Sequence, residues 1–184
     1  MAPFVWRAES RGDTRAEAAV VPPGTPLAPK PAAIRDWVTL SPDEQRLFAR
    51  QMEVFAGFGE YADTEIGRLI DAIRDVGQLD NTLVFYIVGD NGASAEGGAN
   101  GLFNENTYFN GVEESLQDTL KHIDELGGPL TYNHYATGWA VVGDTPFTWT
   151  KQVASSYGER AIRWSCTGPS ASRRMARFAR NGIM

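Results

Sequence analysis

Cysteine and histidine are nearly missing from this chain: one of the first, Cys166, and two of the second, His122 and His134, in 184 residues. A single cysteine excludes an intramolecular disulfide and a multi-cysteine zinc centre. With so little nitrogen or sulfur to offer, a metal site predicted from this sequence is built mainly from oxygen donors, which favours calcium or magnesium over zinc. Long apolar runs are absent too. No stretch of 18 or more apolar residues occurs, so no segment reads as a membrane-spanning helix and no membrane partner is expected. Residues 1–15 lack the apolar core of a secretory signal and are dotted with charge, which leaves the localisation unknown. Clustered positive charge of the kind that grips phosphates is also lacking. The net charge is −6 and the pI near 4.9, so no nucleic-acid partner is expected.

What is present, 42% hydrophobic and 22% charged residues, reads as one soluble globular domain or part of a larger one. Residues 1–19 are rich in Arg and Ala without a convincing period. Residues 20–36 contain five prolines, which remove helix and ladder hydrogen bonds and predict an extended crossing segment. A long helix is predicted next. Ser41 and Glu44 form a capping box, and Pro42 occupies the favoured first helical position. Apolar residues recur at Leu47, Phe48, Met52, Phe55, Phe58, Ala62, Ile66, Leu69, Ile70 and Ile73, mostly three or four apart. That period predicts one buried face packed as core, ending where Gly77 suits a helix C-terminus.

Asp80-Asn81 is a turn, and residues 82–88, Thr-Leu-Val-Phe-Tyr-Ile-Val, are a nearly continuous apolar, β-rich run. A strand apolar on both faces belongs inside a sheet covered by helices on each side, so helix, turn and strand make one α/β unit. Beyond Asp90 the pattern dissolves into Gly, Asn and Glu, with a weak helical signal over Val112–Glu125. Gly89-Asp90-Asn91-Gly92 closes the strand, where ligands gather in open α/β sheets. A carboxylate and an amide oxygen side by side there suit a hard cation, although the same four residues also make an ordinary turn. Gly97, Gly98 and Gly101 lack the lysine of a phosphate-binding loop and any dinucleotide fingerprint.

The segment from Tyr86 to Gly98 resembles the strand and loop that carry two metal ligands in sulfatases. In order, Asn104-Glu105, Phe109-Asn110-Gly111, Glu113-Glu114-Ser115, Gly127-Gly128-Pro129, Tyr132-Asn133-His134-Tyr135, Gly138-Trp139-Ala140 and Thr145-Pro146-Phe147-Thr148-Trp149-Thr150-Lys151 follow. With the helix phrase Ala49–Gly57, this ordered set is similar to the bacterial arylsulfatases of the alkaline-phosphatase-like superfamily over residues 20–158. The resemblance implies an α/β fold, here a fragment of a mixed-sheet sandwich. It also implies that Asp90 and Asn91 bind an active-site calcium and that Lys151 contacts a sulfate ester substrate. His122 and His134 do not match the family's catalytic histidines and read as surface or loop residues.

The family's nucleophile, a cysteine or serine in Cys/Ser-x-Pro-Ser-Arg that matures to formylglycine, has no counterpart in these residues. Neither do the family's Asp pair, its Lys-x-His element and its further histidine. Cys166-Thr167-Gly168-Pro169-Ser170 imitates the motif with the proline one position late and no arginine after the serine. Two side-chain ligands leave a calcium shell of six to eight oxygens unfilled, so the chain alone is expected to be inactive. Residues 159–184 hold six arginines, at 160, 163, 173, 174, 177 and 180, and match nothing in the family. Shifted by one frame from Glu159, suitable synonymous codons spell Gly-Thr-Arg-Asn-Pro-Met-Val-Val-His-Trp-Pro-Lys-Arg-Ile, a string like the strand after the family's lysine loop. Ser10–Ala18 behaves in the same way. The expectation is a partial sulfatase domain over 20–158 between two out-of-frame ends, a pseudogene-like fragment. Phosphate or phosphonate ester hydrolysis is the alternative chemistry on this fold.

Overall fold

A computed structural model describes residue 24 and residues 26–89, 92–153 and 162–167. The stretch 1–19, Asp90, Asn91 and the tail outside 162–167 lie outside the described residues. The chain divides into two units, residues 1–55 with 91–160 and residues 56–90 with 161–184.

Helix α1, Pro42–Asp75, begins and ends where its sequence dictates. The Ser41 main-chain N–H donates to Glu44 Oε2 at 2.8 Å, and the Glu44 N–H donates back to Ser41 Oγ at 3.2 Å. This closes the capping box. At the other end Gly77 takes φ +71°. Its N–H reaches Arg74 O at 2.8 Å and the Gln78 N–H reaches Ile73 O at 3.1 Å, which satisfies two terminal carbonyls in a Schellman arrangement. The Ser41 N–H, and after it the Arg35 guanidinium 2.6 Å away, hold the Glu44 carboxyl below the ordinary carboxylate range. Because the folded-state value is the depressed one, this stabilisation is present above the unfolded value and is lost as pH falls through the folded one. Glu44→Gln is therefore expected to lower the unfolding midpoint at neutral pH and to remove that acid-side loss. Identical acid profiles for the two proteins would show that the box contributes nothing.

The first unit is built on the N-terminal third of α1. Leu47, Phe48, Ile123, Leu126 and Ala136 form a buried cluster, with Trp37, Leu40, Val54, Phe103, Leu116 and Leu120 packed against it. The unit also holds three short helices among the described residues, α2 (Glu105–Phe109), α3 (Leu116–Lys121) and α4 (Thr137–Asp144). Asn104 caps α2 by accepting from the Asn106 N–H, and Ser115 caps α3 by accepting from the Asp118 N–H. The Glu114 carboxylate takes the main-chain N–H groups of Phe103 and Asn104 and the Thr107 hydroxyl, which fixes the entry to α2. The Trp139 indole on α4 donates to Phe48 O at 2.8 Å. Several of the family-like phrases thus have structural roles.

The second unit contains the distal part of α1 and strand β1 (Val84–Gly89), paired antiparallel with β2 (Ile162–Thr167) from Val84↔Thr167 to Gly89↔Ile162. Two sequence expectations are corrected here. The apolar stripe of α1 is not buried along its length: Phe55, Phe58 and Leu69 are exposed, whereas Leu47 and Phe48 are buried. A hydrophobic period reports which face a helix offers, not what covers it. Likewise, among the described residues, β1 is not covered by helical layers on both faces. Phe85 and Tyr86, which point to opposite faces of the strand, are both exposed. Among the described residues the sheet has two strands, which is consistent with a fragment of an α/β fold.

Candidate functional site

Lys151 is the one predicted site residue that lies among the described positions; Asp90 and Asn91 do not. The loop that follows them, however, is tied along α4 within the first unit. The Ala93 N–H donates to Asp144 Oδ1 at 2.8 Å, at the end of α4. At its start, the Thr137 hydroxyl donates to Gly98 O at 2.8 Å and contacts Ala95 O at 3.2 Å, while the Thr137 N–H also reaches Gly98 O. Gly143 lets the loop lie close, since a Cβ there would sit 3.2 Å from Ala93 Cβ. The described loop is therefore held from Ala93 onward.

Lys151 joins the same loop. Its main-chain N–H donates to Ala93 O at 3.0 Å, and the next side chain, Gln152, donates to Glu96 Oε1 at 2.9 Å. Trp149 and Gln152 carry φ +70° and +78°, a left-handed backbone that costs non-glycine residues about 1–2 kcal/mol each. Such positions cluster where a turn must aim a functional side chain. The Lys151 side chain is half-buried and its charge is felt at Glu96. The Ser94 hydroxyl bond holds the Glu96 carboxyl below its ordinary range, and the Lys151 charge adds to the effect.

Glu96, Glu105 and His134 were invisible as a group in the sequence. The structure brings one donor atom of each within 4.8 Å of the others, all half-buried. His134 is half-buried beside the two carboxylates, whereas His122 is exposed and lies 2.7 Å from Glu125. Tyr135 beside the cluster has its phenol pushed up by burial, with the Asp144 and Glu96 charges acting in the same direction. Among the described residues no helix is long and apolar enough to cross a membrane.

The sulfatase family model matches residues 8–136, which include Asp90 and Asn91 and end before Lys151. An arylsulfatase of Klebsiella aerogenes is 27% identical over 139 residues, covering 76% of this chain and 28% of the relative. An uncharacterized sulfatase of Schizosaccharomyces pombe is 28% identical over 126 residues, covering 68% of this chain and 22% of the relative. The chain spans less than a third of the length of these relatives. It belongs to the sulfatase family.

Proposed function

We propose that this chain supplies the calcium-binding and sulfate-binding part of an arylsulfatase, a sulfuric-ester hydrolase, and that it does not hydrolyse esters by itself. The observation that carries the reading is the Lys151 N–H bond to Ala93 O, which links the lysine loop to the segment two residues beyond Asp90-Asn91. A carboxylate and an amide oxygen suit calcium as hard donors, and the anchored loop fits the need to hold them still. When bound, calcium polarises a sulfate oxygen and stabilises an activated nucleophile. Lys151 offsets negative charge on the ester oxygens and orients the anion. The Cys/Ser-x-Pro-Ser-Arg nucleophile is not among these 184 residues, so attack on sulfur has to come from other sequence. The spelling of residues 159–184 supports a shifted frame there.

An aryl sulfate and the matching aryl phosphate, offered to the chain alone and to the chain expressed with the coding sequence upstream of it, test this. Sulfate turnover only in the joined protein is expected. Calcium is expected to leave the melting temperature of the chain alone unchanged, because two side chains leave most of its coordination shell to water. Turnover by the chain alone would refute the inactivity. Turnover of phosphate rather than sulfate by the joined protein would refute the substrate class.

A further inference from the structure

We propose that Glu96, Glu105 and His134, residues other than Asp90 and Asn91, form a metal site that takes a divalent transition-metal ion of the zinc type. Two carboxylates and one imidazole are the donor set such ions accept, with water completing four-coordination. Calcium is disfavoured by the nitrogen and the small oxygen count. Ions of this type bind oxygen and nitrogen at about 2.0–2.2 Å, so donor atoms on one ion lie at most about 4.4 Å apart. The three donor atoms already lie within 4.8 Å of one another, so a small side-chain rotation brings them onto one ion.

The main chain, not chance side-chain contact, holds the three donors together. Leu102 and His134 exchange hydrogen bonds at 2.9 and 3.0 Å, and the Glu105 N–H donates to Tyr132 O at 2.6 Å, so Glu105 and His134 ride on paired segments. Gly97 seats the third donor. A Cβ there would lie 1.9 Å from Tyr135 O and 2.7 Å from His134 Nδ1, so only glycine lets the Glu96 main chain pass this close. The imidazole itself is set for ligation. His134 Nδ1 lies 2.9 Å from Tyr135 O. A carbonyl can only accept, so Nδ1 carries the proton and Nε2 keeps its lone pair, the tautomer that outer-shell carbonyls impose on metal-bound histidines. Glu96 is oriented in the same sense. Ser94 and Gln152 each bind one of its oxygens at 2.9 Å, and each oxygen retains a second lone pair. An ion here pins the 92–98 loop to the 132–135 segment beside Lys151.

Isothermal titration of Zn2+ into the whole chain tests the site. One saturable equivalent is expected, with affinity reduced at least about tenfold in Glu105→Gln and His134→Gln and unchanged in the control His122→Gln. Glu105→Gln is the decisive variant, because it leaves the main-chain pairing intact. Unchanged circular dichroism without metal shows that it still folds. Co2+ in place of Zn2+ should give visible absorption bands that His134→Gln abolishes. Absence of saturable Zn2+ binding to the wild-type chain overturns the proposal, and so does equal affinity in Glu105→Gln and wild type.

Discussion

Gln51→Leu is expected to lower the free energy of unfolding by about 2–4 kcal/mol. Gln51 is fully buried in α1. Its Nε2 donates to Asn100 O at 2.8 Å and its Oε1 accepts from the Ala136 N–H at 3.1 Å. One carboxamide thereby joins α1, the glycine-rich loop and the residue that precedes α4. Leucine has a similar volume, so neither a cavity nor overpacking accounts for the loss. What changes is that a buried N–H and a half-buried carbonyl lose their partners, at a cost of about 1–3 kcal/mol for a buried group. Gly101 sharpens the constraint: with φ +73° and the carboxamide only 2.1 Å from where its Cβ would stand, the loop cannot move in to replace those bonds. Urea unfolding of the two proteins measures the difference. A Gln51→Leu variant as stable as the wild type would mean that the added apolar burial outweighs both lost bonds.

Gln51 also shows where sequence reading stops. The span of α1, its capping box and its Gly77 terminus were legible because each depends on residues within one or two turns of each other. The strand over 84–89 was legible from its β-branched and aromatic content. Its surroundings were not, since Phe85 and Tyr86 declare an appetite for burial and not what satisfies it. Helix α4 was missed because eight residues give too few turns for a period, and the buried run Trp139–Val142 reads equally as strand. At the candidate site, Asp90-Asn91-Gly92 alone has the chemistry of an ordinary turn. Only the ordered phrases around it, through Thr145-Pro146-Phe147 to Lys151, gave it meaning. Glu96, Glu105 and His134 carry no local signal at all, because their meeting depends on the pairing of residues 102–105 with 132–134.

In the protein that carries the nucleophile, Lys151→Ala is expected to lower turnover of an aryl sulfate by about 10²–10³-fold, the loss typical of removing one charged or hydrogen-bonding group aimed at a transition-state oxygen. The substitution isolates the ammonium from the loop that presents it. The bond from residue 151 to Ala93 O uses the main-chain N–H, so alanine keeps it. The Ala93 N–H bond to Asp144 and the Gln152 bond to Glu96 likewise involve no atom of the lysine side chain. Thermal stability should therefore change little while the rate collapses, and a collapse of both would assign Lys151 to folding. The division between kcat and KM carries the mechanistic content. A charge that binds the sulfate ester equally in ground and transition states raises KM alone when removed, whereas one that answers charge developing on the oxygens lowers kcat. The left-handed residues on either side, Trp149 and Gln152, favour the second outcome. On the proposed role, backbone held at that cost sets the lysine loop before substrate arrives, and a pre-set charge need not reorganise as the S–O bond breaks. An intact kcat with a raised KM would make Lys151 a binding residue only.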